Sequence, residues 1–222
     1  MPVTEAEKTV KAAHPEEARE KLEYFDAKYD TKDRFCSYWH QVDEAKSAAP
    51  SEILEIGKGN GFFSTYMRNR NAKVVSLDFD FRVRPECNAS VVDIPFKTGS
   101  FDLVVCYEVL EHMPFDLFVR SVRELHRVSR RRVVVSLPDL SPVWRYLIKI
   151  PKLGELKFLL PKPLVRPIRW EFNGDHYWNL GTRGFPVQRV LDIFAETGFQ
   201  LRKNYRVFEI PWHRFFVLEK KS

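Results

Sequence analysis

Residues 53–61, ILEIGKGNG, place three glycines at alternate positions after an apolar run, with an acid two positions before the first glycine. A turn built from Gly57, Gly59 and Gly61 lets a ligand approach the main chain closely. Asp78 ends the next apolar run, and in nucleotide-binding βαβ units an acid about 20 residues beyond the glycines contacts a ribose. The pattern predicts a nucleotide-containing ligand, and a plain strand-to-helix corner is the simpler alternative.

Glu55 indicates which class of nucleotide ligand the glycine turn would bind. A pyrophosphate binds to free backbone N–H groups at a helix N-terminus, and a carboxylate at the end of the same strand would repel it. A ligand with an ammonium or sulfonium group would be attracted instead. S-adenosylmethionine has both groups together with a ribose and an adenine, so we expect Glu55 at the cofactor site. A nicotinamide-dependent oxidoreductase remains an alternative that Glu55 disfavours.

Four segments, in this order, resemble the motifs of class I S-adenosylmethionine-dependent methyltransferases, in their broad small-molecule branch. They are EIGKGNG (55–61), VVSLDFD (74–80), VVDIPF (91–96) and SFDLVVCYEVLEHMP (100–114). The resemblance implies that the three glycines pass under the methionine and ribose of the cofactor and that Asp78 binds the ribose hydroxyls. It also implies that Asp93 and the Ile94 backbone contact the adenine. Cys106 and Tyr107 would face the methionine end.

The N-terminal stretch EYFDAKYD (23–30) offers aromatic side chains that could cover the methionine end of the cofactor. We expect Tyr29 to make this contact, and packing against the edge of the sheet is the alternative.

Two histidines are candidates for acid–base chemistry. Methyl transfer is an in-line displacement in which the protein aligns the reactants and excludes water. A general base near neutral pH assists a hydroxyl or amine acceptor, and histidine suits this role. His112 lies in EVLEHMP just beyond a predicted strand, and His176 lies in NGDHYWNLG. A structural role remains open for each of them.

The elements that would position these residues alternate between strands and helices, which predicts a doubly wound, mostly parallel, Rossmann-like α/β sheet. A helix beginning at Pro186 and stopping at Gly198 precedes a C-terminal antiparallel hairpin. The predicted core strands are 51–56, 72–78, 89–93, 100–107 and 131–138. The predicted core helices are 61–71 and about 115–129.

The domain organisation that we predict is a single methyltransferase domain over 1–222. Its parts are a helical N-terminal cap (1–48), a cofactor-binding core (50–138), a basic and aromatic substrate-cap insertion (139–185), and the terminal helix and hairpin (186–222). Three separated cysteines, Cys36, Cys87 and Cys106, suggest no disulfide framework and no zinc site, so we expect no metal and a reducing, cytoplasmic setting.

Residues 145–170 carry seven cations and one acid, and this net charge of +6 equals that of the whole chain. Leucines and isoleucines alternate with the cations, a mixture typical of membrane interfaces or of sites for amphipathic acids. We therefore expect a small-molecule or lipid-linked, anionic acceptor and peripheral contact with an anionic membrane. A solvated cap insertion would use the same cations. An RNA methyltransferase or RNA-binding protein would do so too, but we disfavour a nucleic-acid partner, because RNA binding pairs cations with exposed aromatic and polar side chains and not with leucines. The sequence leaves the oligomeric state open.

Overall fold

The computed structural model describes residues 23–152 and 154–221. Its strands are β1 (Glu52–Ile56), β2 (Lys73–Asp78), β3 (Cys87–Asn88), β4 (Phe101–Tyr107), β5 (Ser129–Pro138), β6 (Val143–Ile150), β7 (Gly154–Pro161), β8 (Phe199–Arg206) and β9 (His213–Lys220). Its α-helices are α1 (Lys32–Ser47), α2 (Phe62–Arg68), α3 (Phe118–Val128) and α4 (Val187–Glu196). None of the helices in these ranges is long and apolar enough to cross a bilayer.

Seven strands form one sheet in the order β3-β2-β1-β4-β5-β9-β8. The first five are parallel, and β9 runs antiparallel to both β5 and β8. The predicted Rossmann-like sheet and its C-terminal antiparallel hairpin are therefore confirmed. The strand order reverses at β1, which pairs with β2 on one side and β4 on the other, and such a switch point opens a crevice at the carboxyl ends of the strands.

Side chains alternate between the two faces of the sheet, and helices cover both faces. The helices α3 and α4 pack on one face through a buried cluster that includes Leu54, Val104, Val133, Phe118, Val122, Leu125, Val190 and Phe194. The helices α1 and α2 pack on the other face through Ile53, Leu103, Val134, Val42, Ala45, Phe63 and Met67. Helices therefore cover both faces of the sheet, and the crevice at the carboxyl ends of the strands remains open to a ligand.

The insertion after β5 contains a separate two-stranded antiparallel sheet formed by β6 and β7. Residues opposite each other in such a pair share a face, and the stacked rings of Tyr146 and Phe158, with centroids 5.3 Å apart, agree with this. One face, here called the apolar face, consists of Trp144, Tyr146, Ile148, Ile150, Leu156, Phe158 and Leu160. The opposite face carries Arg145, Lys149, Glu155 and Lys157 beside apolar residues.

Several sequence-based boundaries are wrong. The third strand is Cys87–Asn88, and 89–93 forms a turn. The helix expected over 61–71 ends at Arg68, and the helix expected over 115–129 starts with a 3-10 turn before Phe118. The helical N-terminal cap is represented by α1, whereas its first 22 residues lie outside the described ranges.

Candidate cofactor and acceptor site

A cavity of about 470 Å³ lies at the carboxyl ends of β1, β2 and β4, and this volume is typical of small-molecule sites. The glycine turn after β1 forms its floor together with the end of β2. Helix α1 and the N-terminal aromatics form one wall, and the corner after β4 forms another with Phe172, Gly174, Asp175 and Tyr177 of the insertion. Sequence segments far apart in the chain therefore converge at the switch point of the sheet.

The glycine turn follows β1 and ends at the N-terminus of α2, where Gly61 is the N-cap residue. Its glycines have φ values of +80°, +50° and +76° in chain order. A Cβ atom on Gly57 would lie 2.3 Å from Cγ2 of Val109, which belongs to the corner after β4. The corner after β4 thus packs against the main chain of Gly57, where there is no room for a side chain.

Asp78 lines the cavity at the end of β2. Its Oδ2 accepts a hydrogen bond from the Lys58 amide at 2.8 Å, and its Oδ1 accepts one from the Asp80 amide at 2.9 Å. These bonds fix the carboxylate against the glycine turn. A carboxylate has about four acceptor positions, so capacity for two further donors remains. Burial raises the pKa of Asp78.

Glu55 also lines the cavity, although it is only 3% exposed. Its Oε2 atom is buried and has no hydrogen-bond partner. Burial raises the pKa of this carboxyl group to about 8. A buried carboxylate oxygen without a partner is costly, and a cationic ligand group in the cavity would lower the pKa of Glu55 and pair with its ionised carboxylate.

The wall formed by α1 and the preceding turn includes Tyr29 and also residues that the sequence analysis did not indicate. The Arg34 guanidinium lies 3.6 Å from the centre of the Tyr29 ring. Ser37 Oγ is 2.8 Å from Nδ1 of His213, the first residue of β9, and both line the cavity. Burial lowers the pKa of His213 to about 3, so this imidazole is neutral near pH 7.

The remaining predicted cofactor residues divide into two groups. Tyr107 lines the cavity, whereas Cys106 points into the core and is fully buried. Asp93 is exposed, and the Ile94 amide donates to Glu124 Oε2 at 2.9 Å, so neither residue reaches the cavity. Residues 89–91, which precede them in the same turn, line it instead.

The two candidate histidines meet at the corner after β4. Hydrogen bonds from the Tyr177 amide to the Glu111 carbonyl and from Trp178 Nε1 to the Met113 carbonyl hold the insertion against this corner. The rings of His112 and His176 consequently lie edge to face, with their centroids 4.8 Å apart. Of the two, His112 lines the cavity.

Three acidic side chains lie at or near this corner. Glu108, with a φ of +52°, has a buried Oε1 that lacks a partner, and its Oε2 is 3.7 Å from His213 Nε2. Burial raises the pKa of Glu108 to about 8, and burial with the neighbouring Glu108 charge raises the pKa of Glu111 further above its usual value. Asp175 also lines the cavity, and one of its carboxylate oxygens is 2.8 Å from His112 Nδ1.

Comparison with known proteins identifies the class of this site. Residues 54–136, which include the glycine turn, Asp78 and the corner after β4, match the family described as a methyltransferase domain. Residues 54–136 belong to a class I S-adenosylmethionine-dependent methyltransferase domain. S-adenosyl-L-methionine is the cofactor of that family, and the nicotinamide alternative is therefore set aside.

Two curated relatives of this methyltransferase domain act on different acceptors. A ubiquinone biosynthesis O-methyltransferase of Pseudomonas aeruginosa is 29% identical over 138 residues, which cover 54% of this chain and 58% of that protein. A malonyl-[acyl-carrier protein] O-methyltransferase of Legionella pneumophila is 32% identical over 109 residues, which cover 42% of this chain and 38% of that protein. The chain thus spans about half the length of these relatives, and their acceptors are not transferred to it.

Solved methyltransferase structures share the fold over nearly the whole chain. The N-methyltransferase NodS of Bradyrhizobium japonicum WM9, in complex with S-adenosylhomocysteine, aligns with a TM-score of 0.62 and 11% identity over 94% of this chain and 97% of that one. Magnesium protoporphyrin IX methyltransferase of Synechocystis PCC 6803, with S-adenosylhomocysteine bound, aligns with a TM-score of 0.57 and 16% identity over 86% of each chain. At these identities the likeness concerns the fold alone.

Proposed function

We propose that this protein transfers a methyl group from S-adenosylmethionine to an acceptor bound in the same cavity. One observation carries the proposal: the partnerless oxygen of buried Glu55 and the anchored carboxylate of Asp78 line one cavity with the glycine turn. These groups suit a ligand that has a cation at one end and ribose hydroxyls in its middle. A pyrophosphate would meet two carboxylates instead.

The cofactor-binding residues in this proposal are Glu55, Gly57, Gly59, Gly61, Asp78, Tyr107 and Tyr29. The ribose hydroxyls would donate to Asp78, and Glu55 would face the cationic methionine end. For the adenine we favour the main chain of 89–91 over Asp93 and Ile94, because only the former lines the cavity. Cys106 would act from the core by supporting Tyr107 at the end of β4.

The catalytic part of the proposal concerns His112 and His176. The cofactor supplies an electrophilic methyl group on a sulfonium, and the chain must align the acceptor and exclude water. Asp175 accepts from His112 Nδ1, which leaves the lone pair of this imidazole on Nε2. This nitrogen can accept the proton of an acceptor hydroxyl or amine, or it can bind an ion that contacts the acceptor.

Replacing His112 by alanine tests this assignment. We expect turnover of methyl-labelled cofactor into an acceptor from a metabolite extract to fall at least tenfold, since proton-transfer groups contribute about 10²–10⁴-fold. Affinity for S-adenosylhomocysteine should stay nearly unchanged. His126→Ala is the matched control, because His126 packs against Phe199 away from the cavity. Full turnover in His112→Ala would give His112 a structural role.

The acceptor class that we propose is an anionic or lipid-linked small molecule. Members of the apolar face remain solvent-exposed, including Ile148 (46% exposed) and Leu156 (54% exposed). The neighbouring segment adds Leu164, Val165 and Ile168, which are also exposed. Contiguous exposed apolar surface of this kind marks an interaction site.

The charge around the apolar face favours an anionic membrane as its partner. Lys152 and Lys162 are exposed next to the ends of the hairpin, and Arg166 is exposed further along the chain. Each cation near an anionic surface contributes about 1 kcal/mol, while the apolar side chains would enter the interface. A lipid-linked acceptor would thereby reach the cavity from the membrane.

Adjacent residues on opposite faces of β6 provide a matched test. In flotation with anionic phospholipid vesicles at low salt, we expect Ile148→Asp to weaken association at least tenfold and Leu147→Asp (51% exposed) to weaken it much less. Charge reversal at Lys152 and Lys162 should also weaken association, and S-adenosylhomocysteine affinity should be unaffected. Failure of the unmodified protein to float would contradict membrane contact and leave the insertion as a pocket lid.

A further inference from the structure

Three side chains of the kinds that bind metal ions meet at the corner after β4, beside the cavity. Glu111 and His112 belong to the corner after β4, and His176 comes from the insertion; one ligand atom of each lies within 4.8 Å of the others. No second group of three His, Cys, Asp or Glu side chains comes this close within 23–152 and 154–221. Two imidazoles and a carboxylate form a donor set for divalent first-row metals.

Glu111 supplies an independent observation that points to a cation. Its side chain is fully buried, and neither carboxylate oxygen has a hydrogen-bond partner. His112 Nε2 lies 3.9 Å from Glu111 Oε1, which is beyond hydrogen-bond distance. A cation between these two atoms would bind both of them and offset the cost of burying the carboxylate.

Both imidazoles are oriented as metal ligands usually are. His112 Nδ1 is 2.8 Å from Asp175 Oδ1, and His176 Nδ1 is 2.8 Å from Asn179 Oδ1. Carboxylate and amide oxygens only accept hydrogen bonds, so each Nδ1 donates, and in the neutral imidazole the lone pair is on Nε2. An oxygen acceptor behind the distal ring nitrogen is the usual support of a metal-binding histidine.

We propose that Glu111, His112 and His176 bind one divalent transition-metal ion, such as Zn²⁺ or Mn²⁺. Asp175 would add a second carboxylate beside the ion, since its Oδ2 is 3.4 Å from His176 Nε2. The sequence-based expectation of no metal considered only cysteine spacing, and histidine and glutamate ligands from separate segments cannot be recognised in that way.

The role of this ion rests on the proposed function. His112 and Asp175 line the cavity, so the ion would contact an acceptor hydroxyl oxygen and lower its pKa. The hydroxyl proton passes to solvent water, the O–CH₃ bond forms as the S–CH₃ bond breaks, and the electron pair of the broken bond stays on sulfur in S-adenosylhomocysteine. In this arrangement His112 is a ligand, and its Nε2 does not accept the proton.

Calorimetric titration of the chelator-treated, dialysed full chain with ZnCl₂ or MnCl₂ tests the site. We expect one saturable site and at least tenfold weaker binding in Glu111→Gln and in His176→Asn. Glu196→Gln, an exposed carboxylate on α4, and His126→Asn should bind the metal as the unmodified protein does. Zn²⁺ should also raise the melting temperature of the unmodified protein and of both controls, but not that of the two ligand variants.

Absence of a saturable site, or equal metal affinity in Glu111→Gln and His176→Asn, would overturn the inference. Affinity for S-adenosylhomocysteine in the presence of chelator separates this failure from that of the proposed function. If the protein binds S-adenosylhomocysteine in the presence of chelator but shows no metal binding, only the metal site is refuted. Intact metal binding without cofactor binding would refute the proposed function instead.

Discussion

Gly57 illustrates how a single position links two elements of the cavity. A Cβ atom there would meet Val109, and a φ of +80° already disfavours any side chain. We expect Gly57→Ala to lower the free energy of unfolding by roughly 1–2 kcal/mol through the backbone alone and by about 1–3 kcal/mol more through overpacking. Chemical denaturation and S-adenosylhomocysteine titration measure the two effects.

Gly184 provides the matched control, because its φ is +92° and nothing lies within 4 Å of the position of its Cβ. Gly184→Ala should therefore show the backbone effect without the clash. Adding Val109→Ala to Gly57→Ala should restore part of the lost stability. Equal losses in the two glycine variants, with no rescue, would mean that the close approach to Val109 is unimportant.

Site residues were predictable from the sequence where their position relative to a strand end determines their place. Glu55, Gly57 and Asp78 follow this rule, since the carboxyl ends of neighbouring parallel strands share one edge. Ser37 and His213 are 176 positions apart and meet only through packing of α1 against β9, so local patterns do not indicate them. Asp93 failed to reach the cavity because a turn, and not a strand, sets its direction.

At the scale of elements, Asp139 joins the end of β5 to the C-terminal hairpin. Its Oδ2 is 2.6 Å from Arg214 Nε, and its main-chain carbonyl accepts a hydrogen bond from Arg206. The Asp139 side chain is fully buried, and the side chains of Arg206 and Arg214 are 8% and 17% exposed. Breaking a buried ion pair costs about 3–5 kcal/mol, so we expect Asp139→Ala to lose roughly this much stability in chemical denaturation. Glu155→Ala, in an exposed pair with Lys149, should change little.

The same ion pair predicts a pH dependence. Burial alone would raise the pKa of Asp139, but the Ser141 hydrogen bond and the charges of Arg214 and Arg206 outweigh it and hold the pKa below its usual value. The stabilisation is therefore complete above the unfolded-state pKa of about 3.9 and is lost as the pH falls through the lower folded-state pKa. The stability difference between the unmodified protein and Asp139→Asn should shrink below about pH 4. A difference independent of pH would contradict this account.

Elements with regular periodicity were predicted well, and those defined by pairing were not. The parallel strands β1, β2, β4 and β5 are apolar runs, and α4 has Pro186 and Gly198 at its ends. The hairpin β6–β7 was missed because its cations and apolar residues separate into two faces only after the register is known. The strand β3 is two residues long, too short for a sequence pattern.

At the scale of the molecule, the sheet, α1 and the insertion contribute one wall each to a single cavity. The net charge of +6 resides in 145–170, which includes most of the protruding hairpin, and the remaining residues sum to zero. The proposed chemistry and the proposed membrane contact involve separate parts of the chain, so we expect variants of the hairpin and of the cavity to act independently. The single-domain organisation over 1–222 and the cap role of 139–185 stay predictions.

We propose that the cavity holds S-adenosylmethionine through Asp78 and the glycine turn. Calorimetric titration of the full chain with S-adenosylhomocysteine and, separately, with NAD distinguishes this cofactor from a dinucleotide. We predict micromolar binding of S-adenosylhomocysteine, no binding of NAD, and at least tenfold weaker S-adenosylhomocysteine binding in Asp78→Ala, since charge-assisted hydrogen bonds contribute about 1.5–3 kcal/mol each. Asp192→Asn, an exposed change on α4, should have no effect. Binding of NAD without a response to S-adenosylhomocysteine, or unchanged affinity in Asp78→Ala, would contradict the account.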